Sequence, residues 1–105
     1  LPPFASLALL RAEAKDAAMA AAFLHAAAQT AAALPEATGV IVYPPVPPPV
    51  SRVAGVERMQ MLVESRSRVA LQRFLGVWVP LLTPLGREKT HRVLRWAVDV
   101  DPLAI

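Results

Sequence analysis

Between Gly55 and Leu75 the spacing of apolar residues changes from that of a strand to that of a helix, and the rest of the chain is organised around the switch. Met59, Met61 and Val63 alternate with Arg58, Gln60 and Leu62, as side chains do on the two faces of a strand. Beyond Ser65–Ser67 the pattern becomes Leu71, Phe74, Leu75 and Trp78, one face of a helix. Ser67 suits the start of that helix, because its hydroxyl can accept from an unpaired amide of the first turn. Arg68 and Gln72, four apart, share a neighbouring face close to the same end. A cation and an amide beside the positive end of a helix form a seat for a carboxylate. The competing reading is a polar face that meets only water.

Upstream, Phe4 to Glu13 reads as a mostly buried strand after Pro2-Pro3. Asp16 is suited to cap an alanine-rich helix running to about Leu34, with Pro35 ending the pattern. Met19, Phe23, Ala26, Thr30 and Leu34 recur at spacings of three and four, which predicts one seam for the larger side chains. The run approaches the length of a membrane span, but alanine supplies little driving force and His25, Gln29 and Thr30 interrupt it. Its low bulk predicts a helix lying close against a sheet.

Gly39 to Tyr43 is a short β-rich strand, and the following PPVPPPV is predicted to be an extended loop or edge, since proline donates no ladder bond. Val53 to Glu64 reads as a longer strand with Gly55 a turn or bulge. Pro80 is expected to kink or end the second helix, with Pro84 and Gly86 stopping what survives. A polar loop, Gly86–Thr90, leads to a last strand at Arg92–Val100, closed by Asp101-Pro102. In that strand Leu94, Trp96, Val98 and Val100 are predicted to share one side. The order β-α-β-β-α-β predicts an α+β, ferredoxin-like sandwich: a single domain over residues 1–105, its antiparallel sheet carrying both helices on one face.

At 105 residues and 55% hydrophobic, the chain is long and apolar enough for one core. It has no cysteine, which excludes disulfides and thiolate metal sites and fits a cytoplasmic setting. It begins with Leu1 and shows no signal-like start, so it reads as a piece of a longer protein. The net charge of +3 is uneven. Residues 1–49 carry two cations against three anions, residues 50–105 nine against five, and eight of those nine are arginine. Arginine suits bidentate contact with phosphate or carboxylate, so a polyanionic partner is permitted.

Catalysis is not expected. His25 and His91 have no matched partner, and the four glycines form no phosphate loop. Asp99 and Asp101 would face one side of a strand and could share a divalent cation, but they lack a third ligand, and aspartate before proline commonly closes a strand. No metal site is therefore assigned. A binding module fits better, with Arg52, Arg58, Arg66, Lys89, Arg92 and Arg95 as candidate phosphate contacts. Glu57, Glu64 and Glu88 are scattered among them, and most aromatic residues fit core positions, so base stacking is a weaker expectation.

Several segments in order resemble the C-terminal domain of the primosomal protein N′ (PriA) family of replication-restart helicases. They are PPF at Pro2–Phe4 leading into LALLRAEA, then VYPPVPPPVSRVAG with R-x-Q-x-L from Arg58 to Leu62. SRVALQ at Ser67–Gln72 and WAVDVDP at Trp96–Pro102 follow. Three positions depart from the family pattern: Leu1 for a tyrosine, Pro44-Pro45 for glycine-proline, and Glu57 for an aromatic. The last argues against base stacking at that strand.

The resemblance implies a ferredoxin-like fold similar to a small-subunit ribosomal protein. It implies a parent that is an ATP-driven, 3′–5′ DNA helicase whose ATP- and magnesium-binding motifs and zinc-binding segment lie upstream. No cofactor is expected in residues 1–105 themselves. It further implies binding to branched DNA and replication forks, packing on the helicase lobes, work alongside other primosome proteins, and no membrane partner. With the lobes, the domain would form a pocket for the acidic C-terminal tail of single-stranded-DNA-binding protein. The family's arginine and glutamine for that tail fall on Arg68 and Gln72. The alternative is a purely structural domain that buttresses the helicase core.

Overall fold

A computed structural model describes residues 5–100. Strand β1 (Ser6–Ala14) lies at the centre of the sheet. Ala8, Leu10, Ala12 and Ala14 are fully buried on one face, and Leu7, Leu9, Arg11 and Glu13 alternate onto the other. Strand β2 is Val40–Val42, β3 is Arg52–Val53, β4 is Val56–Ser65 and β5 is Arg95–Val100. β1 pairs antiparallel with β4 from Ser6↔Ser65 to Ala14↔Glu57, and with β5 from Ala8↔Val100 to Glu13↔Arg95. The order is β2-β4-β1-β5, with β3 beside β4 at the end that β2 does not reach. With helices α1 (Ala17–Ala32) and α2 (Arg68–Leu85), this is the expected α+β ferredoxin-like sandwich.

The Asp16 carboxylate accepts from the Met19 amide at 2.8 Å and starts α1 as predicted. The inward face differs from the predicted seam. Ala20, Phe23, Leu24, Ala27 and Ala31 are buried, whereas Met19, Ala26, Thr30 and Leu34 are only partly so. Of the predicted seam only Phe23 is fully buried; with Leu24 it fills the core, while Ala20, Ala27 and Ala31 around them let the helix backbone approach the sheet. In α2 the predicted face is buried: Leu71, Phe74, Leu75, Trp78 and, one turn on, Leu82. Phe74 and Trp78 stack at 5.0 Å. The Trp78 indole N–H donates to the Ala27 carbonyl at 2.9 Å, so its burial leaves no polar group unpaired and locks the helices together.

Pro80 does not end the helix. α2 continues through Pro80 and Pro84 to Leu85. Both prolines, and Gly76 one turn before the first, are exposed, so the carbonyls that lose an amide partner face water rather than the core. Gly86 then ends the helix in a buried position, where a Cβ would stand 3.2 Å from Val93 and 3.4 Å from Trp96. This close approach explains the glycine better than any turn does.

The proline segment is an extended edge, as expected. Val46 is its one non-proline residue between Tyr43 and Val50, and it both donates to and accepts from Gln60 at 2.8 Å. The predicted strand Val53–Glu64 is two strands. Ala54 and Gly55, both at positive φ (54° and 79°), form a two-residue hairpin turn between Val53 and Val56. The last strand starts later than Arg92. A 3₁₀ turn at Lys89–His91 intervenes, and the His91 Nδ1–H donates to the Leu85 carbonyl at 2.7 Å, holding the chain at the end of α2. Trp96 and Val98 pack on the core, while Leu94 and Val100, at the two ends of the same side, are half exposed beyond the reach of the helices. Asp101-Pro102 and the first residue of the predicted first strand, Phe4, lie outside the described residues.

Candidate functional site

Two surfaces carry most of the predicted site residues. The first is the start of α2. Ser65 is buried, donates its hydroxyl to the Gly39 carbonyl at 2.9 Å, and accepts from the Ser67 amide at 3.2 Å. This fixes the turn between β4 and α2 against the chain entering β2. Ser67 then accepts from the Ala70 amide at 3.1 Å, closing the cap. Arg68 and Gln72 are both exposed and one turn apart, with Arg66, Val69 and Arg73 exposed around them. The first turn has no acidic residue, and none occurs in the sequence from Arg66 to Arg87. Cations and helix dipole therefore add at this end, which suits an incoming carboxylate.

The second surface is the sheet face away from the helices. Register places Arg58, Glu13 and Arg95 side by side on β4, β1 and β5, with Gln60, Arg11 and Ala97 in the adjacent rank. Glu13 lies between two guanidiniums, 3.4 Å from Arg58 Nε and 3.9 Å from Arg95 Nε. Arg11 pairs with Asp99 at 2.9 Å. An open cleft of about 330 Å³ lies over these ranks, walled on one side by Pro48 of the proline segment. Arg11 and Gln60 were not among the residues predicted from sequence. For Arg11 the signal was a polar residue at an outward position of a largely apolar strand, which a reading of β1 as mostly buried passes over; for Gln60 it was the alternation that sets it on the same face as Arg58.

The remaining candidates are dispersed. Arg52 lies on the short β3 and approaches Glu57 at 3.9 Å. Lys89 opens the 3₁₀ turn after α2 and Arg92 follows it, and the Arg92 guanidinium reaches the Arg87 carbonyl at 3.5 Å. Arg66 follows the far end of β4, roughly 25 Å from Arg58 by strand rise. The fold thus brings Arg58 and Arg95 together and separates both from Arg66.

Tyr43 donates to Glu64 at 3.2 Å. Its pKa is raised above the ordinary phenol value, first by desolvation and then by the Glu64 hydrogen bond and charge, which keeps it a neutral donor. Among the described residues no three histidine, cysteine or acidic side chains gather as metal ligands. Of the two aspartates considered for a cation, Asp99 holds Arg11, and Asp101 is outside the described residues. No helix among the described residues is long and apolar enough to cross a membrane.

The fold is similar to that of a de novo designed protein, Foldit4, with a TM-score of 0.62 over 91% of this chain and 94% of that one at 8% identity. That likeness bears on the architecture alone. The family model for the primosomal protein N C-terminal domain matches residues 1–103, nearly the whole length and every segment compared above. The chain therefore belongs to the primosomal protein N C-terminal domain family.

Proposed function

We propose that this domain is the DNA- and protein-binding module of a PriA-like replication-restart helicase. The observation that carries the reading is the serine-capped start of α2, which places the exposed Arg68 and Gln72 one turn apart on the helix surface. The acidic C-terminal tail of single-stranded-DNA-binding protein is its ligand there. Arg68 makes charge-assisted hydrogen bonds to a tail carboxylate, and Gln72 orients the tail through a neutral one. Helicase lobes of the parent chain complete the pocket, so the domain alone binds the tail more weakly than the parent does. Arg52, Arg58, Arg66, Lys89, Arg92 and Arg95 contact the phosphates of forked or branched DNA without reading sequence.

Fluorescence anisotropy with an acidic peptide ending in a free carboxylate tests the tail site. Arg68→Ala should weaken binding about tenfold, in keeping with loss of a charged hydrogen bond. Unchanged curves would remove Arg68 from the site. For DNA, the affinity for a fork should fall steeply and log-linearly with salt. A flat dependence, or no binding at low salt, would leave the second reading: a structural domain packed on the helicase lobes. Val69, Val77 and Leu81, exposed along the outward side of α2, favour some such packing in addition.

A further inference from the structure

The open sheet face contains more than a group of cations. Its three arginines are each held by a carboxylate of the same domain: Arg58 and Arg95 by Glu13, and Arg11 by Asp99. Neither carboxylate is needed to fill the core, since both lie on the face that the helices leave open. The cleft between these pairs is at the small end of the range for ligand sites, which runs from about 300 Å³ upward. We propose that this cleft binds an extended single strand of nucleic acid, one nucleotide at a time, and that Glu13 is a built-in competitor that the phosphate displaces. The proposal rests on the DNA-binding reading above and deepens it, adding Arg11 and Gln60 to the contact set and giving Glu13 a role.

The geometry favours a single strand over a duplex. Arg58 and Arg95 stand two strands apart, about 10 Å at the backbone, with Glu13 midway. A phosphate arriving at Glu13's place meets both guanidiniums at once, and the next can be met by Arg11 in the adjacent rank. Pro48 closes one side with an apolar wall against which a sugar or base can rest. A duplex is too broad to enter and could touch only the rim. Phosphodiester also outcompetes Glu13 where a peptide carboxylate does not. Exchanging one carboxylate for another gains nothing and forfeits the advantage of a tethered partner, whereas each phosphate neutralised on a strand also releases condensed counterions. Glu13 therefore keeps affinity for lone anions low and reserves the face for a polyanion.

The test is an NMR titration of the isotope-labelled chain with a short oligothymidylate, following backbone amides and arginine Nε–H signals. Wild-type shifts should centre on Arg11, Arg58, Gln60 and Arg95. Glu13→Gln, which keeps the shape and removes the charge, should tighten binding about threefold or more. Glu36→Gln, an equal change of net charge in the Pro35–Ala37 turn, should change it by less than about half that amount. Asp99→Asn frees Arg11 and should also tighten binding, which keeps the test alive if Glu13→Gln fails to fold. Equal gains from Glu13→Gln and Glu36→Gln would reduce the effect to net charge and overturn the proposal. So would shifts centred on Arg66 to Arg73, although DNA binding itself would then stand. Stronger shifts at the cleft from an acidic peptide of equal charge would assign it to a carboxylate chain instead. Absence of any oligonucleotide or fork binding would sink the DNA-binding reading as well.

Discussion

The two faces of the sheet are separated by one residue step along each strand, yet they follow different rules. On the covered face, Ala8, Leu10, Ala12 and Ala14 of β1 meet Met61 and Val63 of β4 and the buried sides of both helices. Residue volume decides what is admitted there, from the alanines of β1 and α1 to Phe23, Phe74 and Trp78 of the two helices. On the open face, β1, β4 and β5 carry Arg11, Glu13, Arg58, Gln60 and Arg95. Charge pairing decides there, and the pairs are exposed enough that each contributes little to stability. One face sets whether the chain folds, and the other, on the proposal above, sets what the folded chain touches. Mutations on the two faces should therefore separate into stability effects and binding effects.

Trp78→Ala should cause the largest stability loss. It removes the biggest fully buried side chain, its stack on Phe74 and its hydrogen bond to Ala27. A cost of about 3–5 kcal/mol is expected from urea unfolding monitored by far-ultraviolet circular dichroism. A loss below about 1 kcal/mol would mean that α2 is not held to α1 in this way.

A sharper comparison uses neighbours of one residue type. Leu10 is fully buried and Leu9, beside it on β1, faces the open side. Leu10→Ala should cost about 2–5 kcal/mol. Leu9→Ala removes the same atoms from a half-exposed place and should cost less than about half as much, again by urea unfolding. Similar costs would show that the open face is covered by something in solution.

Most of the fold was legible because the strands alternate and the helices are bounded by unambiguous caps. Asp16 and Ser67 each cap the helix they were expected to cap, and the α2 face Leu71–Phe74–Leu75–Trp78 is the buried one. What escaped the sequence has physical causes. The inward seam of α1 is set by how near the helix lies to the sheet: it keeps Phe23 but adds alanines and Leu24 in place of Met19, Thr30 and Leu34, which a reading by side-chain size puts there. Pro80 is harmless only because it faces water, and that depends on the packing of the whole helix. The exposed pair proposed above for tail binding, Arg68 and Gln72, follows in the same way from a cap and a helical spacing alone. The cluster of Arg11, Glu13, Arg58 and Arg95 follows only from the register of three strands, two of them separated from the third by a helix and more than forty residues.

The hairpin between β3 and β4 lies where neither rule applies, and it gives the smallest expected effect. Arg52 to Gly55 are all exposed, so side-chain burial contributes almost nothing there and the backbone alone sets the energy. Both turn residues have positive φ, the arrangement whose twist matches the flanking strands. Gly55 adopts it freely, but Ala54 at φ 54° brings its Cβ near the following carbonyl, at a cost of about 1 kcal/mol. Asparagine tolerates this region and is the preferred partner of glycine in such turns. Ala54→Asn should thus stabilise the domain by about 0.5–1 kcal/mol, read as a raised urea midpoint with an unchanged slope. Gly55→Ala should do the reverse by a similar amount, since its Cβ has open space and only the backbone objects. If Ala54→Asn lowered the midpoint, the turn would not hold this conformation in solution. Arg52 would then not be fixed beside Glu57 at the end of the sheet, and the phosphate contact proposed for it would lose its support.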